Sequence, residues 1–141
     1  MKRIDLKEFC FHDCIIRGIS LDEGTLTLNM PNTVYDGQNC DLKLEIRLDE
    51  SDLSIYYIKQ YPCFGSTRIQ TKESNLGFLK HIFEKGGALE IVDFLVSTTT
   101  KLAILNCEVL PCSKRRGVSK RVVFKINYQD DYFTLKRSSE K

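Results

Sequence analysis

Three side chains capable of metal binding or nucleophilic chemistry lie close together near the start of the chain: Cys10, His12 and Cys14. On a β-strand, this alternate spacing would place all three on one face. Two thiolates and an imidazole are ligands that Zn²⁺ prefers, and a thiol beside an imidazole can act as a nucleophile. However, residues two apart on a strand lie about 6–7 Å apart at Cα, and the tighter CxxC spacing typical of zinc sites is missing from the sequence. We therefore predict no catalytic residue, metal ligand or cofactor. A metal-dependent enzyme built on these three residues stays as the second alternative.

His12 and Asp13 form a candidate polar site, for which we favour a structural role. Their side chains are expected to hydrogen-bond to each other's backbone or to a neighbouring strand, because polar groups in folded proteins usually have partners. Such contacts would fix the start of the first hairpin. His81, the other histidine of the chain, falls in a predicted helix and on its solvent side.

The strongest electrostatic feature is the basic stretch 113–121. It carries five cations and no anion: Lys114, Arg115, Arg116, Lys120 and Arg121. Residues 1–112 carry 12 basic and 16 acidic side chains, whereas residues 113–141 carry 9 and 3. A local excess of positive charge favours contact with phosphates or with an acidic protein surface. We predict that these five residues bind a partner or an anion. The other interpretation is a solvated loop whose charges prevent strand pairing.

Length and composition limit the class of protein. A chain of 141 residues fits a single domain covering 1–141. Its 42% hydrophobic and 28% charged residues are ordinary for a soluble globular protein and argue against disorder. No window reaches the roughly 18 apolar residues of a membrane span, and the basic N-terminus lacks the apolar run of a secretory signal. We expect a cytoplasmic protein with no membrane partner and with reduced cysteines.

Hydrophobic periodicity predicts the fold class. Apolar and polar residues alternate strictly over 42–48, as in a strand with one wet face. Gly24 suits the turn of a hairpin at 22–24, and the three prolines are expected to end strands. Since a single helix cannot supply the crossovers of a parallel sheet, we predict α+β, mainly antiparallel β, with about eight strands in a sheet or a sandwich.

One amphipathic helix is predicted near residues 74–85, with Ser74 as its N-cap and a glycine pair ending it. Two other segments are expected to be irregular. The segment 32–41 is rich in Asn, Asp and Gly, and the segment 62–73 follows a group of aromatic residues. Those aromatics can form an interface or cap the core, and we expect core packing because aromatic side chains dominate core burial: Tyr56, Tyr57, Tyr61 and Phe64.

The opening pattern resembles that of small bacterial proteins. It consists of Phe11-His12-Asp13, an apolar strand through Ile19, a short polar turn and Leu26-Thr27-Leu28. Some of the proteins that share it are grouped with the immunity proteins of contact-dependent and other polymorphic toxin systems. The resemblance ends near Met30, and it implies a cytoplasmic, β-rich binding domain without catalysis, marked by His12 and Asp13.

We therefore expect a non-enzymatic cytoplasmic protein-binding domain, immunity-like, with a protein partner. The first alternative is anion or nucleic-acid binding through the basic stretch 113–121.

Overall fold

The computed structural model describes residues 2–4, 10–35, 37–48, 52–97, 99–112, 114, 116–128 and 133–137. Within these ranges the chain forms eleven β-strands and one α-helix, in the order β1 (Lys2–Ile4), β2 (Ile15–Ile16), β3 (Gly18–Asp22), β4 (Thr25–Tyr35), β5 (Gln38–Arg47), β6 (Leu53–Cys63), β7 (Ser66–Ser74), α1 (Leu76–Glu84), β8 (Ala88–Ser97), β9 (Leu102–Leu110), β10 (Ser119–Asn127) and β11 (Phe133–Arg137). All the strand pairings in this described part are antiparallel. The predicted class, mainly antiparallel α+β, is confirmed, with more strands than expected.

The strands form two sheets that share one core. The five-stranded sheet has the order β1-β11-β5-β4-β3, and the six-stranded sheet has the order β2-β8-β9-β10-β6-β7. One cluster of buried side chains draws on both sheets, with Leu28 and Leu44 from the first and Leu105 and Phe124 from the second. Because alternate residues of a strand point to opposite faces, each sheet turns one apolar face towards the other. Of the two predicted arrangements, the protein therefore adopts the sandwich.

The chain passes from one sheet to the other at Arg17. β2 pairs with β8 in the six-stranded sheet, whereas β3 pairs with β4 in the five-stranded sheet. The Arg17 amide donates a hydrogen bond to the Asn29 carbonyl at 2.9 Å, which holds the crossing point. A Cβ atom at Gly18 would lie 3.3 Å from the Asn29 side chain, so glycine suits this close approach. The first hairpin thus begins at Gly18, later in the chain than Cys10.

The turn of that hairpin lies where the sequence predicted it. Glu23 and Gly24 connect the paired residues Asp22 and Thr25. Both connecting residues have positive φ, 51° and 77°, as a two-residue type I′ turn requires.

The prediction of a loop at 32–41 was wrong. β4 and β5 continue as a paired hairpin through this segment, with a shift of register between Met30 and Thr33. Asn32 has a φ of 55° at the shift, a conformation that asparagine tolerates, so a bulge absorbs residues that the sequence indicated as a loop.

The prolines end strands in only one of three cases. Pro111 follows β9, but Pro31 lies within β4 and Pro62 within β6. Pro62 is tolerated because β10 pairs with β6 only as far as Gln60, which leaves one side of the proline without a neighbouring strand.

The helix α1 packs against β3 and lies within the predicted range. Its N-cap is Asn75, whose side-chain oxygen accepts a hydrogen bond from the Phe78 amide at 3.0 Å, and the predicted cap Ser74 is the last residue of β7. Leu79 is fully buried, while the Phe78 ring stands edge-on to the Tyr57 ring at 5.0 Å. The apolar side of the helix thus joins the core. Nowhere in the described chain is there a helix of the length and apolarity that a membrane crossing needs.

Candidate functional site

The N-terminal turn, residues 10–14, carries the side chains that first suggested chemistry. The Cys14 amide donates to the Phe11 carbonyl at 3.0 Å, and Asp13 has a φ of 72°. A positive φ at the third residue is the signature of a type II turn. β2 begins only at Ile15, so the expected alternation of Cys10, His12 and Cys14 along one strand was wrong. Aspartate tolerates the left-handed conformation that makes the turn.

Backbone hydrogen bonds and an aromatic contact hold this turn on β8. The Asp13 amide donates to the Ile91 carbonyl at 2.9 Å, and the Ile91 amide donates to the Cys14 carbonyl at 2.8 Å. The Phe11 ring is buried and stands edge-on to Phe94, with ring centroids 5.0 Å apart. The turn is thus fixed by tertiary contacts as well as by its own sequence.

His12 completes the hydrogen bonding of a bulge. The register of β8 shifts between Ile91 and Asp93, so Val92 is the extra residue, which a bulge leaves unpaired in the ladder. The Nδ1 atom of His12 lies 2.9 Å from the Val92 carbonyl oxygen. A carbonyl only accepts hydrogen bonds, so Nδ1 carries the proton and donates. His12 therefore contacts a neighbouring strand, the type of contact expected for it.

Two pKa shifts describe the electrostatics of the turn. The Val92 carbonyl, and then the Asp13 carboxylate, raise the pKa of His12 above its ordinary value of 6.5. The His12 Nε2 and Asp13 Oδ1 atoms are 3.5 Å apart. Burial raises the pKa of the Cys14 thiol to about 11, so this thiol is protonated at neutral pH. A protonated thiol is a poor nucleophile.

The turn also lines a cleft of about 300 Å³, together with the β4 bulge from Pro31 to Val34. Across the described residues, no three His, Cys, Asp or Glu side chains are grouped so as to hold a metal ion. The cysteines are free thiols, with Cys14, Cys40 and Cys107 buried. Burial also raises the pKa of Cys107, which therefore stays protonated. The described residues offer no ligand set for the metal-enzyme alternative.

The four described cations of the basic stretch 113–121 do not all lie on one surface. Lys114 and Arg116 are exposed in the loop before β10, whereas Lys120 and Arg121 lie on β10 itself. Arg115 lies outside the described residues. Neighbouring residues of a strand point to opposite faces, so Lys120 shares the inner face of the six-stranded sheet and Arg121 lies on the outer face.

On the outer face, Arg121 already has protein partners. It is paired in register with Glu108 of β9, and its guanidinium donates to the Gln60 side-chain oxygen at 3.5 Å. The pleat of β10 thus places Lys120 and Arg121 on opposite faces of the sheet, and binding of a partner or an anion by the predicted five residues stays a prediction.

On the inner face, Lys120 joins a cluster that the sequence did not indicate. It lies directly opposite Lys59 of β6, which in turn lies opposite Gln70 of β7. In the next row on this face, Tyr57 lies opposite Lys72. These five residues line a cavity of about 240 Å³, which we call the lysine groove. In the sequence, the only sign of this cluster was the spacing of Tyr57 and Lys59, which places both on one face of a strand. The residues that lie opposite them are fixed only by the strand register.

β6 and β7 form a long hairpin at the edge of the six-stranded sheet, which we call the hairpin arm (residues 53–74). Every residue of β7 before Ser74 is exposed. At the tip, Phe64 and Gly65 have φ values of 48° and 80°, and the Phe64 side chain is fully exposed. Core packing was the right expectation for Tyr57 and the wrong one for Phe64. The irregular segment predicted at 62–73 is strand except at this two-residue turn.

The loop that carries Lys114 and Arg116 lies beside the arm. A Cβ atom at Gly117 would lie 3.3 Å from the Pro62 ring, and Gly117 has a φ of 80°. Glycine therefore allows the loop to approach the arm near its tip. The exposed cations of the loop and the exposed ring of Phe64 thus lie on neighbouring segments.

Comparisons of the chain with protein-family models, with curated proteins and with solved structures return no match. The resemblance of the opening pattern to immunity proteins therefore stays a hypothesis.

Proposed function

We propose that this protein is a non-enzymatic protein-binding domain that contacts its partner with the tip of the hairpin arm. The observation that carries the proposal is Phe64, a large apolar side chain that is fully exposed and in the left-handed backbone conformation.

Phe64 stabilises neither the core nor the turn. The left-handed conformation costs a residue other than glycine about 1–2 kcal/mol, and type I′ turns normally use Asn-Gly or Asp-Gly. Backbone strain of this kind is concentrated at functional sites. An exposed aromatic ring that fills a pocket of a partner is a common type of interface hot spot. A binding role therefore accounts for a residue that the fold alone disfavours.

The surroundings of Phe64 indicate the chemistry of the partner. Ile69 of the arm is 61% exposed, and Arg68 is exposed beside it. Lys114 and Arg116 add positive charge from the adjacent loop. The matching surface is an apolar pocket bordered by carboxylates, because charges at the rim steer association while the buried ring supplies affinity.

The proposal has a finer version. In an immunity-like protein the partner would be a toxin, and the complex would form in the cytoplasm. A toxin-like gene beside the gene of this protein would support that version. The absence of catalysis is supported by the Cys14 thiol, which is protonated at neutral pH and is therefore a poor nucleophile. Zinc or iron bound at one equivalent per chain would instead favour the metal-enzyme alternative on Cys10, His12 and Cys14.

Photo-crosslinking tests the proposal. A photoreactive phenylalanine analogue is placed at position 64 or, as a control, at Val34, which is 66% exposed. In native lysate, position 64 is expected to crosslink to one protein in stoichiometric amount, and position 34 is not. The Phe64→Asn variant should lose that protein and Val34→Asn should keep it. Equal labelling from both positions, or no stoichiometric product, would refute the proposal.

Anion or nucleic-acid binding through the loop is the alternative function, and the exposure of Lys114 and Arg116 favours it. A single-stranded DNA oligonucleotide should then bind with an affinity that falls steeply between about 50 and about 200 mM salt. Reversing the charge of both residues should weaken this binding. An affinity that does not change with salt would exclude the alternative.

A further inference from the structure

The register of three strands gathers positive charge in the lysine groove. Lys120 of β10 and Lys59 of β6 lie directly opposite each other, and Lys72 of β7 lies in the next row. Tyr57 and Gln70 complete the lining. All five side chains lie on the inner face of the sheet, and the Tyr57 ring also contacts the Phe78 ring of α1.

The groove holds cations without matching anions. Like charges directly opposite each other destabilise an antiparallel pair. Among the described residues, no ion pair joins Lys59, Lys72 or Lys120 to a carboxylate. The Lys59 Nζ atom lies 5.7 Å from the centroid of the Tyr61 ring, near the outer limit of a cation–π contact, so this ring compensates the charge only in part. A bound anion would remove the remaining repulsion.

We infer that the lysine groove binds a phosphoryl group. Three ammonium groups supply both the charge and the donors that a dianion with three acceptor oxygens requires. A carboxylate, with one charge and two oxygens, would leave part of this donor set unused. The cavity of about 240 Å³ is smaller than the roughly 300–1,000 Å³ of sites for drug-sized ligands, so it suits a single small group.

Tyr57 and Gln70 add neutral donors to the charged ones. Burial raises the pKa of Tyr57, so its hydroxyl keeps its proton at neutral pH and can donate. The Gln70 side-chain amide can donate as well. These groups would orient the phosphoryl oxygens, whereas the lysines would supply the attraction.

This site is distinct from the contact proposed for the tip of the hairpin arm. Phe64 is not part of the groove lining, and Lys59, Lys72 and Lys120 are not part of the proposed tip contact. Either inference can fail without the other. The phosphoryl group can belong to a free phosphate compound or to a phosphorylated side chain, and the two sources need separate probes.

Calorimetric titration of the full chain tests the site with inorganic pyrophosphate, inorganic phosphate and a phosphoserine peptide. The unphosphorylated peptide and glutamate serve as ligand controls. The test variants are Lys59→Gln and Lys120→Gln. The matched control is Lys125→Gln, because Lys125 is also an exposed lysine of β10 but lies on the outer face. Each groove variant should bind the phosphorylated probes about tenfold more weakly, the loss expected for one charged hydrogen-bonding partner.

Each outcome of the titrations either supports or overturns the site. Pyrophosphate binding that weakens in both groove variants and is unchanged in Lys125→Gln supports the site, and the better ligand of pyrophosphate and the peptide identifies the source. Equal weakening in all three variants would show that the probes are attracted by the positive charge of the whole surface, which would overturn the inference. A single-stranded DNA oligonucleotide is titrated in the same way, and its binding without binding of pyrophosphate or the peptide would also overturn the inference. Urea unfolding of each variant checks that the fold is retained, which we expect because each change removes a like-charge contact.

Discussion

Phe11 and Phe64 both lie in tight turns that contain a residue with positive φ, yet the Phe11 ring is buried and the Phe64 ring is fully exposed. In the N-terminal turn the left-handed residue is Asp13, and the phenylalanine two residues before it packs on Phe94. In the hairpin arm the phenylalanine itself is left-handed, and it gains no burial in return. The first turn is explained by the fold and the second is not, so the second is the better candidate for binding.

The polar groups of the N-terminal turn and of the lysine groove also differ in whether the fold supplies them with partners. His12 has the suggestive sequence neighbours, but its Nδ1 atom is satisfied by the Val92 carbonyl. Lys59 has no suggestive sequence neighbours, but it lies directly opposite Lys120 of the next strand. The lysine groove is therefore proposed from opposed like charges without a carboxylate partner within the described ranges, and not from a local density of reactive residue types.

The largest expected effect comes from truncating Phe11, with truncation of Phe64 as the comparison. Phe11→Ala should lower the free energy of unfolding by about 3 kcal/mol, because it removes a buried ring and leaves a cavity. Phe64→Ala should change it by less than about 0.5 kcal/mol, as for an exposed side chain. Urea denaturation measures both. Similar losses in the two variants would remove the contrast between the turns.

The reactivity of the Cys14 thiol tests whether the N-terminal turn is a chemical site. Burial raises the pKa of Cys14 from an ordinary value of 9.0 to about 11. The thiolate fraction at neutral pH is thus about 100-fold lower than in the unfolded chain. Alkylation of Cys14 by iodoacetamide, followed by mass spectrometry, should be at least that much slower in the native protein than in urea. Cys10, which is exposed, is the internal control, and equal rates at the two sites would restore the nucleophile hypothesis.

A stabilising substitution tests the strain at the tip of the arm. Phe64→Asn should raise the free energy of unfolding by roughly 0.5–1 kcal/mol, since asparagine before glycine suits a type I′ turn. The gain should appear as a higher urea midpoint with an unchanged slope. A loss of stability would mean that the ring has contacts in the folded state, which would contradict its assignment to a partner.

The smallest effect concerns His12. Its pKa lies above 6.5 in the folded protein, so the imidazolium is the form that the fold favours. The resulting stabilisation is fully present below pH 6.5 and is lost as the pH rises through the folded pKa. Titration of the His12 ring by NMR should show the raised pKa, and Asp13→Asn should lower it in part while the Val92 contact remains. A titration at or below 6.5 would contradict the assigned hydrogen bond.

Much of the fold follows from local patterns. The alternation at 42–48 identifies β5, and Glu23-Gly24 identifies the first turn because the turn type is encoded in two residues. β7 was missed because an edge strand exposed on both faces has no apolar alternation to detect. The N-terminal turn was missed because contacts with β8, distant in the chain, hold Asp13 in its left-handed conformation.

The lysine groove could not be predicted from the sequence, because it also depends on contacts between distant segments. Lys120 was recognised as part of a charged stretch, but Lys59 and Lys72 lie far from it in the chain. Only the pairing of β10 with β6, and of β6 with β7, brings the three together. A shift of one residue in either pairing would move side chains to the other face and abolish the groove.

The passage of the chain at Arg17 has a consequence for how the molecule opens. β2 and β3 are consecutive, yet they are hydrogen-bonded into different sheets. A fluctuation that separates the two layers must therefore break the ladder on one side of this junction. Amide protons of Ile16 and Ile19 are expected to exchange with solvent at similar, slow rates, as reporters of a single cooperative event.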